Sequence, residues 1–269
     1  MKARLIAGLM AVFFSAATMQ WTWQKPCVGE PYAYAWQDEN RAIAITTMVV
    51  DKSVVYVADV QLRRAEGFHT ARPEKGTCRL SDMVKGTDAV LAVNADNYRS
   101  HSYGVIIRDG ECIRRNKSTR HLLAVCPDGT LATVPDRKTV RAADLAEQLT
   151  ARGVLQTFEF GPLLVEHGEP VDFPKTFRLI STSPHRREPR TAIGMIAPLH
   201  YVIVVVDGRR PGYSEGVSLQ TLQQIFVDLG VETAFNLDGG GSTELWFQGE
   251  IINRPSGGGE RGMSDCIWF

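Results

Sequence analysis

Two aspartates, each standing where an apolar run gives way to glycine, are the residues of this 269-residue sequence best suited to chemistry. Asp207 follows the run 201–206 and precedes Gly208; Asp238 follows Ala234, Phe235 and Leu237 and precedes Gly239, Gly240 and Gly241. A carboxylate delivered to a strand end can act as nucleophile, or as base for water, opposite an oxocarbenium-like centre. Asp238 is the first candidate for that role and Asp207 the second. Glycine has no Cβ to keep a ligand from the backbone, and the N–H groups of residues 239–241 can together form an anion nest. Asn94, Ser242, Thr243 and Asn253 are candidate hydrogen-bonding partners for sugar hydroxyls, an amide or phosphate oxygens. Arg190 and Arg261 are candidates for pairing with phosphate, because a guanidinium bonds two oxygens at once and does not lose its proton. Glu159 is a further candidate carboxylate.

Suppose that the substrate is a sugar whose anomeric carbon is esterified to a bridging phosphate. Breaking the sugar C–O bond expels a phosphate monoester with a second pKa of about 6, a good leaving group. The demand on the protein then shifts from protonating the leaving group to holding its growing charge. Two other readings use the same residues: a non-catalytic module that binds phosphorylated glycans, and a metal-dependent phosphodiesterase with Asp207 and Asp238 as oxygen ligands. Six histidines without zinc-ligand spacing and five cysteines without a C-x-x-C pair suggest no structural zinc, and no cofactor is expected.

The elements that must position these groups can be read from periodicity. Residues 201–206 form a near-continuous apolar run, as in a strand covered on both faces. Residues 218–230 place Leu219, Leu222, Ile225, Phe226 and Leu229 on one helical face between a Ser at the N-cap and a terminal Gly. A strand, helix, strand unit follows, and Asp207 and Asp238 would converge if its strands were neighbours. Residues 42–50 and 54–62 predict a hairpin turning at 51–53, Pro127-Asp128-Gly129-Thr130 predicts a second turn, and 142–153 an amphipathic helix. Residues 170–189, with four prolines, predict a surface loop that could cover the site. The fold class expected is α+β: a mixed, strand-rich sheet with a few packing helices.

The order of these motifs resembles the phosphodiester glycosidase family. The resemblance rests on Pro189-Arg190-Thr191 through Gly194, Val206-Asp207-Gly208-Arg209, Asn236 through Thr243, Ile252 through Ser256, and Glu260-Arg261, with weaker matches at 92–98, 103–110 and 160–165. It spans about residues 42–269 and implies hydrolysis of a sugar-1-phosphodiester such as an α-N-acetylglucosamine-1-phosphodiester. Its Asn-Gly-Gly segment departs here: Ala95 and Asp96 follow Asn94.

Thirty basic and thirty acidic residues leave no net field to recruit nucleic acid or anionic lipid, so the expected partner is a phosphorylated glycan substrate recognised locally. Residues 1–17 run from two positive charges through an apolar stretch to small residues, the order of an export signal, followed by a linker over 18–41 and a domain over 42–269. An extracellular or cell-surface protein is expected, touching membrane only through the 1–17 segment if that is retained. In an oxidising compartment Cys112 and Cys126, placed on what read as neighbouring strands, are expected to pair.

Overall fold

The computed structural model describes residues 23–134, 140–173 and 184–269. The proposed signal, part of the linker and the middle of the 170–189 loop lie outside the described residues.

Residues 41–62 carry β-branched side chains on both sides of Asp51-Lys52, and they form the hairpin Arg41–Val50 and Ser53–Leu62. Asp51 and Lys52 both take the left-handed conformation, at φ 45° and 58°, the pair of values a two-residue turn needs to match strand twist. This hairpin starts an eight-stranded sheet in the order Tyr34–Gln37, Arg41–Val50, Ser53–Leu62, His200–Val206, Arg190–Ala197, Thr233–Asn236, Leu163–Glu166 and Glu169–Pro170. Every pairing is antiparallel. Tyr34–Gln37 is its edge strand, and the backbone N–H groups of Gln24 and Cys27 donate to Gln61 and Asp59 of the sheet. Residues from Gln24 onward, expected within a linker, are therefore built into the fold.

His200–Val206 reads as a continuous apolar run because both its faces are covered. Tyr201, Ile203 and Val205 join one core and Val202, Val204 and Val206 the other. Against the first face packs a five-stranded antiparallel sheet in the order Glu250–Ile251, Leu245–Phe247, Leu91–Asn94, Cys266–Trp268 and His69–Ala71. Against the second packs the helix Leu219–Asp228, where Leu219, Leu222, Ile225 and Phe226 are buried and Ser218 Oγ accepts the Thr221 N–H as N-cap. A smaller unit holds the hairpin Gly104–Arg108 and Glu111–Asn116, the sheet Gln156–Phe158, Leu122–Val125 and Leu131–Val134, and the helix Ala142–Ala151. The α+β class holds, with sheets that are antiparallel throughout.

The strands bearing Asp207 and Asp238 are not neighbours. Arg190–Ala197 lies between them, antiparallel to both, so the two run parallel and finish at the same end of the sheet, where the middle strand begins with Arg190. Convergence is thus achieved through an intervening strand.

The expected Cys112–Cys126 disulfide is corrected by this topology. Glu111–Asn116 pairs with Gly104–Arg108, while Leu122–Val125 pairs with Gln156–Phe158 and Leu131–Val134, so no ladder brings the two sulfurs together. All five cysteines are free thiols, and Cys112 Sγ donates to the Arg114 carbonyl at 3.4 Å.

Close approach explains Gly194 in the middle strand. A Cβ there would stand 2.9 Å from the Phe226 ring and 3.1 Å from the Thr233 carbonyl oxygen, so the helix can lie on the sheet only over a glycine. Gly194→Ala should cost about 1–3 kcal/mol in overpacking. Combining it with Phe226→Leu should cost less than the sum of the two, because the smaller side chain makes room; urea midpoints in a double-mutant cycle check this.

Candidate functional site

The site forms where the ends of the two facing sheets meet. At this end the large sheet supplies Arg190, Asp207 and Asp238. The small sheet supplies Asn94 as the last residue of its central strand, with Glu244 and Asp265 immediately before the two strands that flank it. The Asn94 side chain ties the sheets together. Its Nδ2 donates to the Asp238 carbonyl at 2.6 Å, and its Oδ1 accepts from Thr191 Oγ1 at 2.7 Å and from the Glu244 N–H at 3.2 Å. Every polar atom of that amide is committed within the protein.

Asp207 is similarly committed. It is 1% exposed and accepts from Tyr213 Oη at 2.8 Å, Asn253 Nδ2 at 2.9 Å and the Arg254 N–H at 3.1 Å. Burial pushes its carboxyl up, against the pull of these donors. Asn253 also donates to the Thr243 carbonyl at 3.1 Å and accepts the Leu245 N–H at 2.8 Å. The pair fastens the 253–255 loop beside the glycine run.

Asp238 differs in being partly exposed, as are Gly239, Gly240 and Gly241. Its Oδ1 accepts the Gly239 N–H at 3.0 Å and its Oδ2 accepts from Asn97 Nδ2 at 3.1 Å. Burial raises its pKa, opposed by the Ser242 hydroxyl, the Arg261 charge and the Asn97 amide. Other groups pass close over all three glycines. A Cβ would stand 2.7 Å from the Pro189 carbonyl oxygen at Gly239, 2.9 Å from Arg209 Nη2 at Gly240, and 3.1 Å from Arg261 Nη1 at Gly241. Gly240 also sits at φ +62°, a left-handed conformation that favours glycine. Two exposed guanidiniums thus lie against the glycine backbone beside the one accessible aspartate.

Arg190 is placed differently. It is 3% exposed, with Nε donating to the Val217 carbonyl at 3.1 Å and Nη2 to that of Arg186 at 2.9 Å, and burial lowers its pKa to about 10. The guanidinium that accompanies Arg261 at the opening belongs instead to Arg209, whose Nε donates to Glu188 Oε2 at 2.6 Å. Glu159 is fully buried, accepting the Val105 N–H at 2.7 Å. Ser242 and Thr243 are buried behind the glycines.

Sequence alone gives no site role to Arg209, Glu188, Asn97 or Glu244, although Arg209 closes the Val206-Asp207-Gly208-Arg209 motif. Arg209 stands two residues beyond Asp207, which was the available signal. Glu244 is fully buried, its Oε1 accepting the Arg261 N–H at 2.9 Å, and burial raises its pKa to about 7. Its Oε2 and Thr243 Oγ1 are buried with no hydrogen-bonding partner among the described residues, an unmet polar demand inside the protein. The Ala95-Asp96 departure is also accounted for. Neither residue takes positive φ, and the fully buried Asp96 carboxylate accepts the N–H groups of Glu159 at 2.8 Å and Phe160 at 2.6 Å.

A family profile described as phosphodiester glycosidase matches residues 87–269. The chain belongs to the phosphodiester glycosidase family. An uncharacterized SPbeta prophage-derived protein of Bacillus subtilis (strain 168), YomE, is 31% identical over 192 residues, which cover 69% of this chain and 28% of that protein. The chain therefore spans little more than a quarter of that relative. The catalytic domain of zebrafish N-acetylglucosamine-1-phosphodiester α-N-acetylglucosaminidase, solved in a form auto-inhibited by its pro-peptide, superposes with a TM-score of 0.66 at 19% identity, covering 85% of this chain and 82% of that one. A hypothetical protein from Synechocystis superposes at 0.56 with 18% identity, over 86% and 62%. These two likenesses establish a shared fold.

Two raised carboxyls make stability depend on pH. Burial pushes Asp96 as well as Glu244 up to about 7, against an ordinary value near 4. Between those values the folded chain holds protons that the unfolded chain has released, so the contribution is full below about pH 4 and lost as pH rises through 7. Each such proton changes stability by about 1.4 kcal/mol per pH unit inside that window. The urea midpoint should fall from pH 5 to pH 8, and Glu244→Gln should flatten the fall by its share.

Proposed function

We propose that this member of the phosphodiester glycosidase family hydrolyses the sugar C1–O bond of a sugar-1-phosphodiester, with Asp238 as the reacting carboxylate and Arg209 and Arg261 as the phosphate-binding pair. The observation that supports this reading is their common placement: one partly exposed carboxylate, beside two exposed guanidiniums that a glycine backbone lets come close. Asp238 faces positive charge as it develops at the anomeric carbon, as nucleophile or as base for water. The arginines hold the charge that collects on the departing phosphate, and preorganised donors are most effective there because they need not reorient during the step. Because Asp207, Asn94, Asn253 and Arg190 are spent on internal hydrogen bonds, their part is to hold the Asp238 loop in place.

The substrate is a phosphorylated glycan in this reading, and an α-N-acetylglucosamine-1-phosphodiester is the first compound to test. The charge and apolar order of residues 1–17 supports export, which amino-terminal sequencing of protein from outside the cell would check.

Hydrolysis in oxygen-18 water should put the label on the sugar; label on the phosphate would mean P–O cleavage and overturn the assignment. Asp238→Ala should abolish turnover while phosphodiester binding persists. Arg261→Lys should lose roughly 2–3 kcal/mol of transition-state stabilisation, on the order of a hundredfold in kcat/KM, since a lysine cannot reproduce the paired contact.

A further inference from the structure

We infer that Asn97 is a positioning residue which donates to the Asp238 carboxylate, favouring its ionised form, and connects it to a buried arginine–aspartate pair. The inference rests on the catalytic reading of Asp238, but the structural link stands on its own contacts.

Asn97 stands three residues beyond Asn94, the end of the Leu91–Asn94 strand, and it takes φ +46°, a left-handed conformation that asparagine tolerates better than most residues. Four contacts hold it. Its N–H donates to Asp265 Oδ1 at 2.8 Å, its carbonyl accepts the Ser100 N–H at 2.9 Å, its Oδ1 accepts from Ser264 Oγ at 3.2 Å, and its Nδ2 donates to Asp238 Oδ2 at 3.1 Å. An ionised carboxylate only accepts, so the NH₂ end of the amide is the one that faces Asp238, while the Ser264 hydroxyl can meet either end.

Behind Asn97, Asp265 is fully buried and its Oδ2 meets Arg108 Nη2 at 2.6 Å, with Arg108 itself 2% exposed. Arg108 also donates to the carbonyls of Ile107 at 2.9 Å and Thr157 at 2.5 Å, and its guanidinium lies 4.8 Å from the Phe158 ring centre and 5.5 Å from that of Tyr98. An ion pair enclosed this way has little freedom to rearrange, so the Asn97 backbone is anchored to a rigid base and its side chain reaches Asp238 from a fixed point.

An amide N–H donated to a carboxylate favours the charged form, and burial favours the neutral one. The groups around Asp238 that bear on this balance are the Arg261 guanidinium, the Ser242 hydroxyl and the Gly239 N–H, together with Asn97. The Tyr103 hydroxyl lies within electrostatic reach of Asp238, as it does of Asp96, Glu159 and Arg120, and Asp96 feels Asp265 and Arg108. Among all these, Asn97 supplies the only side-chain hydrogen bond to the Asp238 carboxylate that meets ordinary geometry among the described residues.

The test is a carboxyl-carbon NMR titration of the full chain labelled at aspartate, with Asp238→Asn identifying the Asp238 resonance by its loss. Asn97→Gly keeps the left-handed backbone open, and Asn97→Asp keeps the side-chain shape while replacing the donor with an acceptor. Asp238 should titrate about half a unit to one unit higher in Asn97→Gly, the loss expected of one donor to a carboxylate, and higher again in Asn97→Asp at pH values where both are charged. The acid limb of the kcat/KM profile should move by the same amount. A lower melting temperature with an unmoved Asp238 titration in both variants would overturn the inference, leaving Asn97 only a fold contact. If the wild-type chain hydrolyses no sugar-1-phosphodiester yet the titration shifts as described, the catalytic reading fails and the link between Asn97 and Asp238 remains.

Discussion

The site depends first on one buried amide. Asn94 ends the central strand of the small sheet and bonds at once to the Asp238 carbonyl, the Thr191 hydroxyl and the Glu244 N–H. With the Ala95 carbonyl accepting the Asp238 N–H at 3.0 Å, these bonds give direction to the apolar contact between the two sheets, as does the run of hydrogen bonds from Asp207 through Asn253 to Leu245. Apolar contact has no direction and tolerates small slips; hydrogen bonds to both ends of an amide do not. The position of Asp238 relative to the glycines and arginines follows from that joint.

Around it, the polar residues divide into two groups by accessibility. Asp207, Asn253, Arg190 and Glu188 are buried and hydrogen-bonded or ion-paired within the protein, and they hold the 186–190, 207–217 and 253–255 segments together. Asp238, Gly239–Gly241, Arg209 and Arg261 reach the surface. A buried charge must be compensated where it lies, so a residue with all its bonds made internally is poorly suited to meet a substrate. The exposed group keeps unspent capacity, and there the cost of ordering is recovered only when something binds.

The glycine run answers to more than one requirement. The usual account of a glycine run is conformational freedom, and it applies to Gly240 with its positive φ. At Gly239 the reason is contact: the Pro189 carbonyl oxygen occupies the space a methyl group would take, whereas the guanidinium near Gly241 ends a flexible side chain that can shift. Two of the three adjacent glycines thus meet separate requirements, at a point where chain entropy argues against them.

Periodicity and turn chemistry by themselves determined the local elements: the 41–62 hairpin, the Asp128-Gly129 turn, the 142–151 and 219–228 helices, and the ending of two strands just before Asp207 and Asp238. These follow from interactions within a few residues, and so they were legible without a structure. The motif order likewise marked Asp238, its glycines and Arg261. What the tertiary structure decided is which strand lies between which. The insertion of Arg190–Ala197 between the two aspartate-bearing strands and the separation of the Cys112 strand from that of Cys126 depend on pairings across long stretches of chain, which local pattern does not encode. The exchange of Arg190 for Arg209 at the opening has the same origin. Both arginines lie beside a motif in sequence, and only the packing of 186 and 217 around the Arg190 guanidinium decides that it is enclosed while Arg209 is left facing solvent.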